Sequence, residues 1–257
     1  MNKWRICGCR TGGLREYLLV SVFLAGCASG PAAKVHYTLE QDPASRPLQR
    51  VVLLPVDVDV YELSAGGVKE EVPEWSRSAE ANIRAALLVS RGGGGNCCVT
   101  EPADTSRLTP EERELLEEHL ALFNTVIANV LSWESIRGTG AQRFDYTLGE
   151  GLAFLKTRYG IDAGLVILGE DVVSTAGRKT TALVGAMFGV AVPLGHSILM
   201  GGLVDFASGD LLWMNYQVAA GGTEDLRDPD SCLGLAKQLM AGYPGLQTVA
   251  SGKPATE

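Results

Sequence analysis

The chain has 257 residues, of which 46% are hydrophobic and 20% are charged, and its formal net charge is −8. This acidic balance disfavours the extended basic surface that nucleic-acid binding requires, so we expect no nucleic-acid partner. The length suffices for one sizeable hydrophobic core, and no break in composition requires a second domain.

The N-terminus has the order of an export signal. A basic leader precedes the apolar run 17–24, which at about ten residues is too short to cross a bilayer. The run ends in Leu24-Ala25-Gly26-Cys27, which resembles the lipobox of bacterial lipoproteins. That resemblance implies cleavage after residue 26 and acylation of Cys27. The alternative is that Cys27 is an ordinary cysteine near a general secretory cleavage site.

Acylation of Cys27 would attach the mature chain to a membrane through its N-terminal lipid, facing the periplasm. By the same resemblance, Ala28 and Ser29, with no Asp after the cysteine, favour the outer membrane over the inner one. Residues 27–48 contain several prolines and predict an extended, lipidated tether. Removal of residues 1–26 takes away four basic residues and one acidic residue, which leaves a net charge of −11.

Three cysteines remain for the folded part, in a compartment that favours disulfides. Either Cys97 or Cys98 could pair with Cys232, which would leave one thiol unpaired. A zinc site is the competing interpretation, but neither His119 nor His196 stands at ligand spacing from a cysteine. We therefore expect no metal and no cofactor.

The first half of the domain predicts one strand and two helices. Residues 51–60 are apolar and then alternate, which is typical of a strand, and Pro55 predicts an interruption in its pairing. Residues 75–90 predict a helix that ends at a glycine run. Thr109-Pro110-Glu111-Glu112 forms a capping box for a second helix, whose apolar stripe from Leu116 to Val130 is expected to face the core.

The second half predicts a strand, a hairpin and further helices. A second box, Thr147 to Glu150, predicts a helix ending at Gly160, followed by a central strand over 163–173. Strands 197–206 and 210–218 flank Ala207-Ser208-Gly209 as a hairpin, and a last helix begins at Asp228. The expected fold is α/β, with a mixed β-sheet packed against helices in a single domain, 49–245, before a flexible tail, 246–257.

Several of these segments resemble a known family. The lipobox, the strand VVLLPVD, the strand DAGLVILG and the hairpin GLVDFASGDLLW are similar to the lipoprotein superfamily that includes CsgG, the curli secretion channel, and the N-terminal domain of TolB. The similarity covers roughly residues 50–242. It implies envelope assembly, secretion or scaffolding, a ring-forming homo-oligomer, and no catalytic residues.

Candidate catalytic groups have structural interpretations that we prefer. Asp57 with Asp59, and Glu170 with Asp171, could serve as acid and base, but solvated charges on or beyond a strand are the favoured interpretation. Residues 176–180 lack the spacing of a phosphate loop and predict a polar turn. His196 lies beside a serine without a nucleophile elbow, so we interpret it as structural. Trp213 is expected to be a core residue.

The uncharged stretch 180–204 is the least ordinary segment. Gly185 and Gly189 stand four apart, as in closely packed membrane helices, but Pro193 and Gly195 interrupt the run. We expect a short buried helix followed by a strand. The alternation that a membrane pore requires is missing, whereas self-association or contact with a bilayer surface stays open.

Together these features predict a membrane-anchored periplasmic lipoprotein that acts as a structural, assembly or secretion-accessory component of the cell envelope. It would bind other envelope proteins and would not be an enzyme. One alternative is a periplasmic hydrolase that uses the carboxylates near Glu170 and Asp171. The other is an oligomeric secretion channel.

Overall fold

The computed structural model describes residues 33–42, 45–46, 48, 50–89, 101–137 and 143–244. All of them belong to one compact unit, residues 31–257. The predicted export signal, the lipid site Cys27, the disulfide candidates Cys97 and Cys98, and the predicted tail lie outside the described residues.

The described chain forms the predicted α/β domain, in which a mixed sheet packs against helices. Short 3-10 turns precede α3 and α4. The strands are β1 (Lys34–Val35), β2 (Val51–Leu53), β3 (Asp57–Leu63), β4 (Lys69–Glu71), β5 (Glu101–Pro102), β6 (Ala163–Ser174), β7 (His196–Asp205) and β8 (Leu211–Ala220). The helices are α1 (Tyr37–Gln41), α2 (Pro73–Val89), α3 (Pro110–Arg137), α4 (Ala153–Tyr159), α5 (Ala176–Met187) and α6 (Pro229–Leu239).

The long strand β6 is the centre of the sheet, whose order is β1-β8-β7-β6-β2-β5. Strands β2 and β3 both pair parallel to β6, at Val51 opposite Ala163 and at Asp57 opposite Leu168. The pairing stops between them around Pro55, which has no N–H to donate, as predicted. On its other side β6 pairs antiparallel with β7, and β7 continues into β8 through the predicted hairpin.

Both faces of the sheet are covered by helices. Helices α2 and α6 bury Ile83 and Leu239 on one face, together with Trp213. Helices α3 and α4 bury Phe123 and Leu155 on the other. The apolar stripe on α3 and the indole of Trp213 therefore lie in the hydrophobic core, as predicted.

The capping box of α3 is confirmed, because the Glu112 N–H donates to Thr109 Oγ1 over 3.2 Å and the Thr109 N–H donates to the Glu112 carboxylate over 2.9 Å. We expect Thr109→Ala to lower the free energy of unfolding by about 1 kcal/mol, since the Glu112 N–H loses the hydroxyl that accepts it. Urea unfolding measures the change. The control is Thr125→Ala, whose hydroxyl bonds only to a carbonyl of its own helix. Equal losses in the two variants would contradict the capping role.

The second predicted capping box is wrong. Thr147 accepts the N–H of Gly149 and pairs with Asp210 in an isolated bridge, and the helix proper begins only at Ala153. The bridge to Asp210 holds Thr147 in extended pairing, and Gly149 has a φ of 80°, which no helix adopts. The predicted end of the helix at Gly160, in the left-handed conformation, is correct.

The predicted tether also needs correction, because residues 34–41 belong to the fold. Strand β1 pairs antiparallel with β8, and the His36 N–H donates to the Leu212 carbonyl over 2.9 Å. His36 and Leu39 are buried. An unpaired edge of β8 would leave backbone groups without partners, and β1 pairs with part of that edge, at Trp213 and Met214. The domain therefore starts before the predicted boundary at residue 49.

Candidate functional site

The connection between β6 and β7, residues 176–195, is the most unusual surface of the described chain, and we call it the arm. It consists of α5 and the segment that leads back to the sheet. The hydroxyl of Thr175 caps α5 by accepting the Arg178 N–H over 3.2 Å, and the helix ends at Met187 with Phe188 as its C-cap. Twelve residues make a helix about 18 Å long. None of them is buried.

The arm exposes a group of large apolar side chains, which we call the apolar patch. Met187 and Phe188 are 79% and 81% exposed. Positions four apart lie on one side of a helix, so the patch forms a continuous stripe. Within the described part of the chain, only three other large hydrophobic residues are exposed, and they lie on separate elements. The patch comprises Leu183, Val184, Met187, Phe188 and Val190.

This geometry corrects two predictions. The expected short buried helix is an exposed one, and the expected polar turn at 176–180 is its first turn. The glycine pair serves the arm itself: a Cβ on Gly185 would lie 3.0 Å from the Val190 carbonyl oxygen, and Gly189 reverses the chain at a φ of 74°. No helix in the described ranges is long and apolar enough to cross a membrane.

The base of the arm is fixed to the sheet. The Gly195 N–H donates to Ser174 Oγ over 3.1 Å, and Arg178 Nε donates to the Pro193 carbonyl over 2.9 Å. A Cβ on Gly195 would lie 1.6 Å from the Val172 carbonyl oxygen, so only glycine fits there. Arg178 and Lys179 also place two positive charges at the base. The arm is thus held at its base while its patch stays in solvent.

Glu170 joins a polar cluster near the arm end of β6, where the sheet extends beyond the helices and its side chains reach solvent. Its carboxylate contacts Lys69 Nζ at 2.8 Å and His196 Nε2 at 3.1 Å. Lys69 also lies over the ring of Tyr61, and the hydroxyl of Tyr61 donates to Asp59. Asp57 and Asp59 are exposed on β3, as predicted. His196, interpreted as structural, is therefore a partner of Glu170.

Asp171 is buried, so its interpretation as a solvated charge is wrong. Its carboxylate accepts Ser197 Oγ and the Leu226 N–H, both over 2.8 Å, which ties the loop before α6 to the sheet. Successive side chains on a strand point to opposite faces, so Glu170 and Asp171 cannot act on the same bound molecule. Burial raises the pKa of Asp171.

Asp171 and its neighbour Asp225 are expected to show opposite pH dependences. Hydrogen bonds from Arg227 lower the pKa of Asp225. A raised pKa gives a contribution to stability that is present below the ordinary carboxyl pKa of about 3.9 and is lost as pH rises through the folded-state pKa. A lowered pKa gives a contribution that is present above about 3.9 and is lost as pH falls through the folded-state pKa.

We therefore compare Asp171→Asn and Asp225→Asn by chemical unfolding from about pH 3 to pH 7. The stability difference, wild type minus variant, should decrease with rising pH for Asp171→Asn and increase for Asp225→Asn. Two differences that change in the same direction would contradict the assignment.

Cys232 is buried beside this loop, where its thiol donates to the Leu226 carbonyl over 3.0 Å. Burial raises the pKa of the thiol to about 12. Its predicted pairing with Cys97 or Cys98 stays a prediction, since both lie outside the described residues. Among the residues with described positions, no group of three His, Cys, Asp or Glu side chains could hold a metal ion.

A cleft at the opposite end of the sheet was not predicted. It has a volume of about 320 Å³, a floor of buried apolar residues that includes Leu116 and Leu155, and a rim with Arg50, Arg107 and Arg158. Arg158 pairs with Glu112, and Arg50 donates to the Tyr159 carbonyl over 2.8 Å. These arginines are far apart in sequence, so their convergence depends on the fold.

Comparison with known proteins gives few matches. No protein-family model and no curated protein matches the chain. Two solved structures of a PelC dodecamer from Paraburkholderia phytofirmans, one with a point substitution, each match with a TM-score of 0.35 and 10% sequence identity. The alignments cover 84% of this chain and 96% of the PelC chain. A likeness of this size supports no inference about this protein, and the resemblance to the CsgG and TolB family stays a prediction.

Proposed function

We propose that this chain is a lipid-anchored, periplasm-facing structural or assembly component of the cell envelope, and that the arm is its contact surface. The observation that carries the proposal is the apolar patch, which stands exposed on an arm with a fixed base. Binding of other envelope proteins and a secretion-accessory role belong to the same proposal.

The physical argument is that an exposed, contiguous apolar surface normally marks a contact site. Fully burying one large apolar side chain stabilises a protein by about 1.5–3 kcal/mol, and the fold obtains only a part of this from the five residues of the patch, least of all from Met187 and Phe188. Met and Phe are also enriched at the centres of interfaces. A surface of this kind on a projecting element therefore favours a role in association.

The hydrolase alternative has less support. Asp171 already accepts two hydrogen bonds in the core, and Glu170 is held by Lys69 and His196 on an open surface. The arginine-rimmed cleft lies at the other end of the sheet. If purified protein hydrolysed a model ester or glycoside, and Glu170→Gln abolished that turnover, the assembly proposal would give way to the enzyme.

The anchor is tested by Cys27→Ser in the full-length precursor. Without the thiol no diacylglycerol can be attached, so we expect uncleaved precursor and no acylated mature form. Mass spectrometry of the N-terminal peptide distinguishes the uncleaved precursor from the acylated mature form. Normal cleavage together with unchanged acylation would contradict the anchor.

The contact role is tested by chemical cross-linking in intact cells, followed by identification of everything attached to the chain. Wild type is compared with Met187→Glu combined with Phe188→Glu. We expect a set of envelope adducts that the double variant loses. If the two adduct sets are the same, the arm is not the contact surface. Conductance of the purified protein in planar bilayers would instead favour the secretion channel.

A further inference from the structure

We infer that the apolar patch lies in the interfacial layer of the bilayer that holds the acyl chains of Cys27. The arm end of the sheet, where β6 ends and β7 begins, would then face the membrane, and the arginine-rimmed cleft would face away from it. This inference rests on the proposed function, because it names the occupant of the proposed contact surface.

The direction of β1 is the first support. Lys34 pairs with Met214 and Val35 with Trp213, so β1 runs antiparallel to β8. Strand β8 runs toward the arm end, where Ala220 pairs with His196. Going back along the chain from Lys34 therefore leads toward the arm end.

The length of this segment is the second support. From Lys34 to the arm end there are six residue steps along β8, or about 20 Å. From Lys34 back to Cys27 there are seven steps, which span at most about 25 Å. The acylated cysteine can therefore reach the level of the arm. It cannot hold the domain far from the membrane surface.

The chemistry of the arm suits the boundary between headgroups and acyl chains. Residues 180–195 carry no charged side chain, whereas Arg178 and Lys179 stand at the base. Basic side chains beside an apolar helix face can extend to phosphate groups while the apolar side chains enter the acyl region. The mature chain is acidic, with a net charge of −11, so most of its surface is repelled by anionic lipids. The arm carries no acidic side chain, so anionic lipids do not repel it in this way.

A second copy of the chain is the competing occupant. A copy would have to offer a matching apolar surface. In the described part of the chain, the other exposed large hydrophobics are Val68 in the β3–β4 turn, Leu122 on α3 and Val218 on β8. None of these single side chains offers an apolar surface the size of the patch, so pairing of two arms is the arrangement between copies that would match it best.

The test uses the full-length, lipidated protein in intact cells. Phe188 is replaced by photoreactive p-benzoylphenylalanine, and the matched control carries the same group at Ala207, an exposed position in the β7–β8 turn at the opposite end. After irradiation, mass spectrometry identifies what is attached to each site. We expect phospholipid adducts at position 188 about tenfold above those at position 207, since burial of one aromatic ring favours the lipid by at least that factor.

Protein adducts at position 188, to a second copy or to another protein, without phospholipid adducts would overturn the bilayer inference and leave the proposed function standing. Adducts at position 188 no more frequent than at position 207 would overturn both.

Discussion

Replacing Met187 and Phe188 together with glutamate is expected to lower the partition of the unacylated mature chain onto phospholipid vesicles by roughly 100-fold. Each replacement removes an apolar side chain from the lipid interface, at about 1.5–3 kcal/mol, and adds a negative charge beside anionic headgroups. Because α5 has no buried residue, the free energy of unfolding should change by less than about 0.5 kcal/mol. Co-sedimentation with vesicles and urea unfolding measure the two effects.

The matched control is Leu122→Glu combined with Ala207→Glu, two exposed positions outside the arm. It changes the net charge by the same amount, so any general electrostatic effect appears in both variants. If the control lowers the partition as much as the arm variant does, charge alone explains the loss and the arm has no special role.

Trp213→Ala is expected to destabilise the domain by about 3–5 kcal/mol. The indole is fully buried on the α2 and α6 face and meets the ring of Tyr243 edge-on at 5.2 Å. Its Nε1–H has no acceptor among the described residues. Within the described part of the chain, the ring therefore stabilises the fold by filling space and not by a hydrogen bond.

Trp213→Phe separates the contribution of the packed aromatic ring from any contribution of the indole N–H. Phenylalanine keeps an aromatic ring in the same layer and removes an N–H that bonds to nothing described, so its cost should be less than half that of alanine. Denaturant unfolding of the three proteins provides the comparison. A phenylalanine variant as unstable as the alanine variant would show that the indole N–H has a partner essential to the fold.

The parts of the fold that sequence predicts well are those with strong local signals. The β-branched run after Asp162 favours a buried strand, and the glycine-containing turn at 207–209 between two strand-like runs predicts a hairpin. The capping box at Thr109 fixes the start of α3. In these segments the local preference and the tertiary contacts agree.

The parts that sequence misses depend on contacts between distant segments. Lys34 and Val35 become a strand only because β8 offers an open edge, and nothing in their own composition requires it. Asp171 becomes buried only because Leu226 and Ser197 supply donors from other elements. Thr147 fails as a cap because it pairs with Asp210, a residue far away in sequence.

The arm is a segment that the sequence predicts only in part. Its lack of charge is visible in the sequence, but small apolar residues without a clear period do not show whether a helix is buried or exposed. Exposure is decided by the sheet, because β6 and β7 are adjacent and leave the connection outside both helical layers. The position of the candidate contact surface could therefore be predicted from sequence, but its exposure to solvent could not.

The most direct test of the account is the rate at which peroxide oxidises Met187 in native membranes, compared with the unacylated mature chain in buffer. Met200 and Met240 are half-buried in the same chain and serve as internal references. If the arm is a contact surface, Met187 oxidises about tenfold more slowly in membranes while the reference residues are unchanged. Equal rates of Met187 oxidation in the two samples would mean that the patch stays in solvent and would contradict the account.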